Sequence, residues 1–535
     1  MTNYLLLAGV VIFACVIFRG LSGKLGIPML FAFMLLGMLF GSDGLFKIQF
    51  NNYYFADEIC TVALIFIMFY GGFGTKWSIA KPVAAHAIVL SSLGTILTAG
   101  IVGLFCHFVL KFAFLESFLL GAVISSTDAA SVFSILRSKR LNLKYSTASL
   151  LEIESGSNDP FSYMLTVIVL AIMSGEASGW GSVYLIFAQV VFGVAFGVAI
   201  AFIAEKVMKI GRLMSSGFDA VFLVAVAFMA YVLPTLLGGN GYFSVYLTGI
   251  ILGNRKIGNK QGLVHFFDGV TGLMQMVLFF LLGLLSFPSR LVNVALPALC
   301  IALFLTLVAR PIAVFLLSAP FKCRLNQLAL VSWAGMRGAA SIVFAIMTVI
   351  SSAFTKNDIF HMVFLIVLFS ILIQGSLIPF VAKKLNMTDD GSDVMKTFND
   401  YTDEFPIRYI QFIIPENHSW QGKMVKEIDL PPDCLLVLVI RDGKKIIPKG
   451  STIIHSNDVL IMSGSASEET RGVNLSERVI EKGDELVNKE IREIKEENKL
   501  IVMILRGKHT IIPKGNTHIR ENDILVINDY SDAQE

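Results

Sequence analysis

Four clusters of polar residues interrupt stretches that are otherwise apolar. They are Ser125-Ser126-Thr127-Asp128, Glu152-Ile153-Glu154-Ser155-Gly156-Ser157-Asn158-Asp159-Pro160, Arg310-Pro311 and Gly335-Met336-Arg337-Gly338-Ala339-Ala340-Ser341. In the second cluster, Ser155, Asn158 and Asp159 are spaced i, i+3, i+4 and so share one helical face. Pro160 cannot donate to the carbonyl of Gly156 four residues earlier, which leaves a free backbone oxygen near Asp159. A carboxylate, an amide oxygen, a hydroxyl and a freed carbonyl make an all-oxygen set suited to a hard monovalent cation. An ionisable group at membrane depth costs at least about 2.5–3.5 kcal/mol on insertion scales, so it is kept for a partner or a task. The task these groups suit is holding a cation or a proton. The plain alternative is an Asn–Asp pair that bonds a neighbouring helix.

Thr127-Asp128 and Gly338-Ala339-Ala340-Ser341 are small or polar interruptions of apolar spans. They predict discontinuous helices whose exposed backbone ends line an ion site. Asp128 would offset the positive N-termini of the half-helices at such a crossing. A tight packing interface of small residues is the competing explanation. Arg310 and Arg337 are the cations available to balance Glu154 and Glu152, because an unpaired buried charge is costly. Glu154 with Arg310 is the pair expected first, with Arg337 left open as the partner, and Glu152 reaching the interface. His86, His107, His265 and His361 sit near predicted span ends and read as interfacial.

The elements that position these groups follow from composition. The 535 residues are 55% hydrophobic and 16% charged, with mean hydropathy +0.71. Soluble domains run near 25% charged, so most of the chain must be membrane-embedded. A net charge of +3 argues against a nucleic-acid partner. The six cysteines have neither metal-ligand nor redox-motif spacing. Met1 to Phe18 lacks a basic leader region, which predicts a retained first helix with its N-terminus outside.

Apolar runs recur from Tyr4 to Ala382 and make roughly thirteen spans. Basic residues follow the odd-numbered spans: Arg19 and Lys24, Lys76 and Lys81, Arg137 to Lys144, Lys206 to Arg212, Arg255 to Lys260, Lys322 and Arg324, Lys383 and Lys384. Even-numbered exits show only Lys47, Lys111, Arg290 and Lys356. This alternation predicts odd spans leaving to the cytoplasm, and hence a cytoplasmic C-terminus. The fifth and twelfth spans, which carry the two interruptions, correspond if two six-span halves form an inverted repeat.

The division expected is a transmembrane domain at 1–385, a linker at 386–404 and two small α+β modules at 405–468 and 469–535. The modules are an internal repeat offset by roughly 65 residues. Leu436-Val437-Leu438-Val439-Ile440-Arg441 answers to Ile501-Val502-Met503-Ile504-Leu505-Arg506, and Ile446-Ile447-Pro448-Lys449-Gly450 to Ile511-Ile512-Pro513-Lys514-Gly515. Asn457-Asp458 recurs as Asn522-Asp523. Each copy predicts a buried strand, a Pro-Lys-Gly turn and a second strand after Asn-Asp.

These motifs, in this order, resemble the signature positions of NhaP/NHE-type cation:proton antiporters, and Glu154 to Pro160 is similar to the potassium/proton branch. The resemblance covers the whole membrane part. It implies a homodimer of thirteen-helix subunits in a prokaryotic plasma membrane, with two crossed broken helices in a moving core. It implies that Asp159 binds the cation and proton, with Asn158, Ser155 and Thr127 beside it. Asp128 would lie at the helix crossing, supported by Gly156, Pro160 and Arg337, and Glu154–Arg310 would be a structural pair. Where many relatives carry an acid before the Gly-rich end of the third span, this chain has Tyr70. The tail resembles TrkA-C modules, which implies a nucleotide or cyclic dinucleotide as a candidate ligand and a dimer contact. A Gly-x-Gly-x-x-Gly fingerprint does not occur after Asn386.

The mechanism expected is competition at one carboxylate. An empty, ionised Asp159 crosses the closed state poorly, because its charge is desolvated without compensation, whereas a proton or a cation removes that charge. Position 158 is Asn rather than a second acid, so one charge trades for one and the exchange is electroneutral. The chain is then no enzyme and has no cofactor beyond the transported K⁺ or Na⁺ and H⁺. A sodium exchanger is the near alternative. From other classes come a gated potassium channel, for which Gly239-Asn240-Gly241-Tyr242-Phe243 is a weak filter candidate, and a membrane-anchored sensor.

Overall fold

The computed structural model describes residues 9–18, 28–139, 141–176, 179–210, 218–255, 257, 260–389, 407–416, 418–430, 434–441, 444–465, 475–481, 484–494, 499–506, 509–511 and 513–529. Arg19, Lys24, Arg140, Arg212, Lys256 and residues 390–404 of the expected linker lie outside the described residues. The chain divides into two compact units, Met1–Asp403 and Glu404–Glu535.

The first unit is helical. Its helices are α1 (Gly9–Phe18), α2 (Met29–Phe40), α3 (Tyr53–Gly74), α4 (Trp77–Phe108), α5 (Phe114–Val123), α6 (Ala129–Ser138) and α7 (Thr147–Met173). There follow α8 (Trp180–Lys209), α9 (Phe218–Thr235), α10 (Gly241–Gly253), α11 (Lys260–Leu285) and α12 (Pro288–Phe304). The last are α13 (Arg310–Ser318), α14 (Leu325–Trp333), α15 (Ala339–Ile350), α16 (Ile359–Phe369) and α17 (Ser376–Lys384). Among the described residues, seven helical stretches are long and apolar enough to cross a membrane, and five shorter helices are apolar. This is a polytopic membrane fold.

Two runs of the chain lose helix where the polar clusters occur. α5 and α6 are separated by an extended segment at 125–128, and α14 and α15 by one at 335–338. Two others widen without breaking: π-helical turns at Leu305–Ala309 and Ser370–Gly375 join α12 to α13 and α16 to α17. The first ends two residues before Pro311, whose missing N–H leaves the ladder short of a donor. Helices approach closely through glycine. A Cβ at Gly249 of α10 would lie 2.5 Å from the Phe69 carbonyl of α3, so that crossing admits only a bare backbone.

Several expectations change here. His86 and His361 are buried, not interfacial: His86 Nε2 lies 2.8 Å from Ser318 Oγ, and His361 meets Asp358 at 2.7 Å. Burial is tolerated because each ring finds a polar partner. Gly239 to Phe243 is no carbonyl filter. Asn240 caps α10, accepting the Phe243 N–H at 3.0 Å, so the segment is the start of a helix.

The second unit holds two four-stranded antiparallel sheets. The first contains β1 (Ile407–Ile413), β2 (Leu435–Arg441), β3 (Lys444–Ile446) and β4 (Val459–Ser465) in the order β1-β4-β2-β3. The second contains β5 (Leu475–Val479), β6 (Lys499–Arg506), β7 (His509–Ile511) and β8 (Ile524–Asp529) in the order β5-β8-β6-β7. Both carry a register shift at the matching place, Leu436/Leu438 and Ile501/Met503. Their cores match too, with Val439, Ile454 and Leu460 answering to Ile504, Ile519 and Leu525. The expected α+β composition is corrected: among the described residues each module has one 3₁₀ turn, Val425–Glu427 or Ile491–Glu493, and no α-helix.

The Asn-Asp repeat has a physical reason. Asn457 and Asn522 adopt left-handed backbone (φ 65° and 66°), which asparagine tolerates. The following aspartates are fully buried and take bidentate contacts from Arg441 (2.8 and 2.7 Å) and Arg506 (2.7 and 2.7 Å). Burial opposes the charge on Asp458, but Arg441 and the His455 N–H overcome it and hold the carboxyl below its usual range. Asp523 behaves alike with Arg506 and the Arg520 N–H. A depressed carboxyl stabilises above its unfolded value, near pH 4, and that stability is lost as pH falls through the folded value. Acidification below about pH 4 should therefore loosen both sheets. Asp458→Ala should cost about 3 kcal/mol, read as faster hydrogen exchange in β2 and β4 with β6 and β8 unchanged.

Candidate functional site at the crossing of two interrupted helices

The two extended segments cross and bond. The Asp128 N–H donates to the Met336 carbonyl at 2.8 Å. Arg337, 1% exposed, donates from Nη1 to the carbonyls of Ser125 (2.7 Å) and Ser126 (2.6 Å). These carbonyls follow the C-terminus of α5, where a cation is favoured. The Arg337 N–H in turn donates to Ser370 Oγ at 2.9 Å, within the π turn before α17.

Asp128 lies at the N-termini of two half-helices. It accepts from the Ser131 N–H (3.2 Å) and hydroxyl (2.5 Å), capping α6. It also packs against Gly338, the residue that starts α15, where an added Cβ would lie 2.6 Å from Asp128 Oδ2.

α7 runs without a break through Pro160 and pins the first extended segment with its polar face. Ser155 Oγ donates to the Thr127 carbonyl at 2.8 Å. Asn158 Nδ2 donates to Thr127 Oγ1 at 2.6 Å, and its Oδ1 accepts the Thr127 N–H at 3.3 Å. Asp159, 8% exposed, accepts from the Ser126 hydroxyl. A turn later, Ser162 Oγ donates to the Ala122 carbonyl at 2.7 Å. The Pro160 carbonyl is engaged by Asn240 Nδ2 at 2.8 Å. Gly156 is small because Tyr246 lies against it, a Cβ there meeting the ring at 2.8 Å.

Asp159, Ser126, Thr127, Asp128 and Ser155 form the floor of a cavity of about 860 Å³. It occupies the side on which α3 ends and α7 and α11 begin. Glu152 lies in its wall, and Glu154 does not. Glu154 instead meets Arg310, Oε1 to Nη2 at 2.6 Å, with the two side chains 1% and 4% exposed. Gly335 makes room for this pair, since a Cβ there would lie 2.6 Å from Arg310 Nε. The structure thus brings Asp159, Asn158, Ser155, Thr127, Asp128 and Arg337 together and separates Glu154–Arg310 from them.

Two residues escaped the sequence reading. Ser126, rather than Thr127, touches the Asp159 carboxylate; the Thr127 hydroxyl, N–H and carbonyl all serve α7. Asp268 of α11 accepts the Tyr70 hydroxyl at 2.9 Å in the cavity wall. It brings an acid to the place where Tyr70 supplies none. Its signal was available: an aspartate inside the apolar run of α11 is as costly as Asp159.

The transmembrane model of the sodium/hydrogen exchanger family matches residues 9–384, and the TrkA-C domain matches 409–470 and again 475–528. The K(+)/H(+) antiporter NhaP of Alkalimonas amylolytica is 32% identical over 466 residues, 86% of this chain and 80% of that one. The K(+)/H(+) antiporter NhaP2 of Shewanella sp. strain MR-4 is 29% identical over 468 residues, 86% of this chain and 81% of that one. Among solved structures, the sodium proton antiporter MjNhaP1 from Methanocaldococcus jannaschii superposes with a TM-score of 0.64 at 23% identity, over 72% of this chain and 99% of that one, which shows a common fold. The chain belongs to the sodium/hydrogen exchanger family of membrane antiporters and carries two TrkA-C domains.

Proposed function

We propose that this antiporter exchanges potassium for protons at Asp159, electroneutrally and by alternating access. The observation that carries the reading is the charge balance of the crossing. Arg337 and Asp128 are both committed to helix ends and offset one another. Asp159, at the cavity floor, is the charge left to vary. With a proton or a monovalent cation bound, the crossing is neutral and can pass through a closed, dry state. Empty, it carries a bare carboxylate whose desolvation opposes the passage. Asn158 adds no second charge, so one cation trades for one proton.

Ser155, Asn158 and Thr127 belong to this proposal as the residues that shape the site, with Ser126 added. Gly156, Pro160 and Arg337 support it, and Glu154–Arg310 is a scaffold pair. Potassium is favoured by the two K(+)/H(+) antiporters described above, of which this chain covers 80% and 81%; sodium is the alternative. Grouping α5 with α6, α12 with α13, α14 with α15 and α16 with α17 supports thirteen crossings. We further read the N-terminus as outside, the TrkA-C domains as cytoplasmic regulators of the exchange that take a nucleotide or cyclic dinucleotide ligand, and the assembly as a homodimer in a prokaryotic plasma membrane, through both the transmembrane part and the TrkA-C domains.

In vesicles holding a pH gradient, Asp159→Asn should abolish cation-dependent dissipation, and retained activity would sink the reading. Potassium should drive faster initial proton exchange than sodium at equal concentration, at rates indifferent to an imposed membrane potential. Glu154→Gln strands a buried arginine and should lower stability by about 3–5 kcal/mol. Replacing both partners, Glu154→Gln with Arg310→Met, should recover part of that loss on thermal unfolding in detergent and retain exchange.

A further inference from the structure

On the side of Asp159 away from the cavity, the space between helices is filled by aromatic rings that carry hydroxyls. Tyr163 is one turn beyond Asp159 on α7 and on the same face. Its ring meets that of Tyr242 edge-on at 4.9 Å, and Tyr242 meets Tyr231 at 5.0 Å. Phe344 of α15 closes the layer, 5.8 Å from Tyr163 and 6.3 Å from Tyr242. Two of the hydroxyls are linked directly, Tyr242 Oη donating to Thr61 Oγ1 at 3.3 Å, and the Tyr231 ring lies against Tyr242 beside them. Thr61 is one turn from Asp57 on α3, and the carboxylate acts electrostatically on all three tyrosines.

α3 connects this cluster to the cavity. Asp57, Thr61, Leu64, Met68 and Gly71 follow i, i+4, i+7, i+11, i+14 and so form one stripe. Leu64, Met68 and Gly71 line the cavity. The stripe therefore continues past Asp159 to Asp57, near the start of α3 and close to the opposite face. Asp57 is half-buried and, among the described residues, has neither an ion pair nor a hydrogen bond; the charge acting on it is another carboxylate, Glu58. A half-buried acid within an apolar helix calls for a partner or a task.

We propose that Asp57, with the hydroxyls of Thr61, Tyr231, Tyr242 and Tyr163, forms a second site for the transported monovalent cation, on the route between Asp159 and the face at which α3 begins. The oxygen set suits a hard monovalent ion. The tyrosine layer closes that route while the cavity side is open, and its hydroxyls replace the water shell as the ion passes. This inference rests on the antiport reading, with the face in question the outer one of the topology proposed above.

The test uses the full-length protein in vesicles of known orientation, with potassium chloride and then sodium chloride added on one face at a time. Asp57→Asn should raise the apparent KM at least fivefold when the cation is offered on the face where α3 begins, and leave KM from the cavity face within twofold. Asp57→Glu should restore most of it. Tyr242→Phe, which keeps the ring layer and removes one ligand, should shift KM in the same one-sided way. An unchanged KM from the α3 face, or an equal change from both faces, overturns the proposal. Absence of exchange in the unaltered protein, or exchange that survives Asp159→Asn, is a separate result that overturns the antiport reading and this inference with it.

Discussion

A helix that breaks inside hydrocarbon strands N–H and C=O groups where no water can reach them, at several kcal/mol each. Two helices break here, at the same depth, and everything around the site answers that constraint. The Asp128 N–H is taken by the Met336 carbonyl, so each break satisfies the other. Arg337 takes the carbonyls that end α5, Asp128 caps the helix that resumes, and α7 bonds the chain between them through Ser155, Asn158 and Ser162.

The same requirement sets the electrostatics. Helix ends carry partial charges, positive at α6 and α15 and negative at α5. Asp128 and Arg337 stand against those ends, so two full charges are held in place by the backbone itself. Asp159 is differently placed. Its contact is a hydroxyl, Ser126, which can donate to a carboxylate or turn its oxygen to a cation. The crossing thus holds Asp128 and Arg337 fixed against helix ends and leaves Asp159 with an adaptable partner. The glycines at 335 and 338 belong to this logic, since any side chain there would displace Arg310 or Asp128.

Legibility followed periodicity. Ser155, Asn158 and Asp159 could be assigned to one face because α7 is a regular helix, and a 3.6-residue repeat converts spacing directly into direction. The unwound segment has no such repeat. Thr127 was expected beside Asp159, and the path of the crossing instead turned the Ser126 hydroxyl to the carboxylate and the Thr127 hydroxyl to Asn158. Likewise Tyr70 and Asp268 are 198 positions apart, and their contact depends on how α3 and α11 pack. In the tail, strands and turns were legible from the repeat, whereas the helical part read into each module was not found among the described residues. The connections there pack irregularly spaced apolar residues such as Trp420, Val425 and Ile428 against the sheet, through a 3₁₀ turn.

The amino-acid sequence by itself determined that this is a membrane protein, where its helices are interrupted, which acids and arginines lie at membrane depth, and that the tail is duplicated. These are properties of local composition and period, which hydrocarbon and backbone geometry constrain strongly. Tertiary structure alone decided the pairings: Glu154 with Arg310 rather than Arg337, Arg337 with two carbonyls rather than an acid, and Asp159 at the floor of a cavity while Glu154 is shut away from it. Each pairing joins elements distant in sequence. Its energy comes from desolvated groups meeting at ångström distances, a quantity fixed by packing and not by the order of residues along the chain.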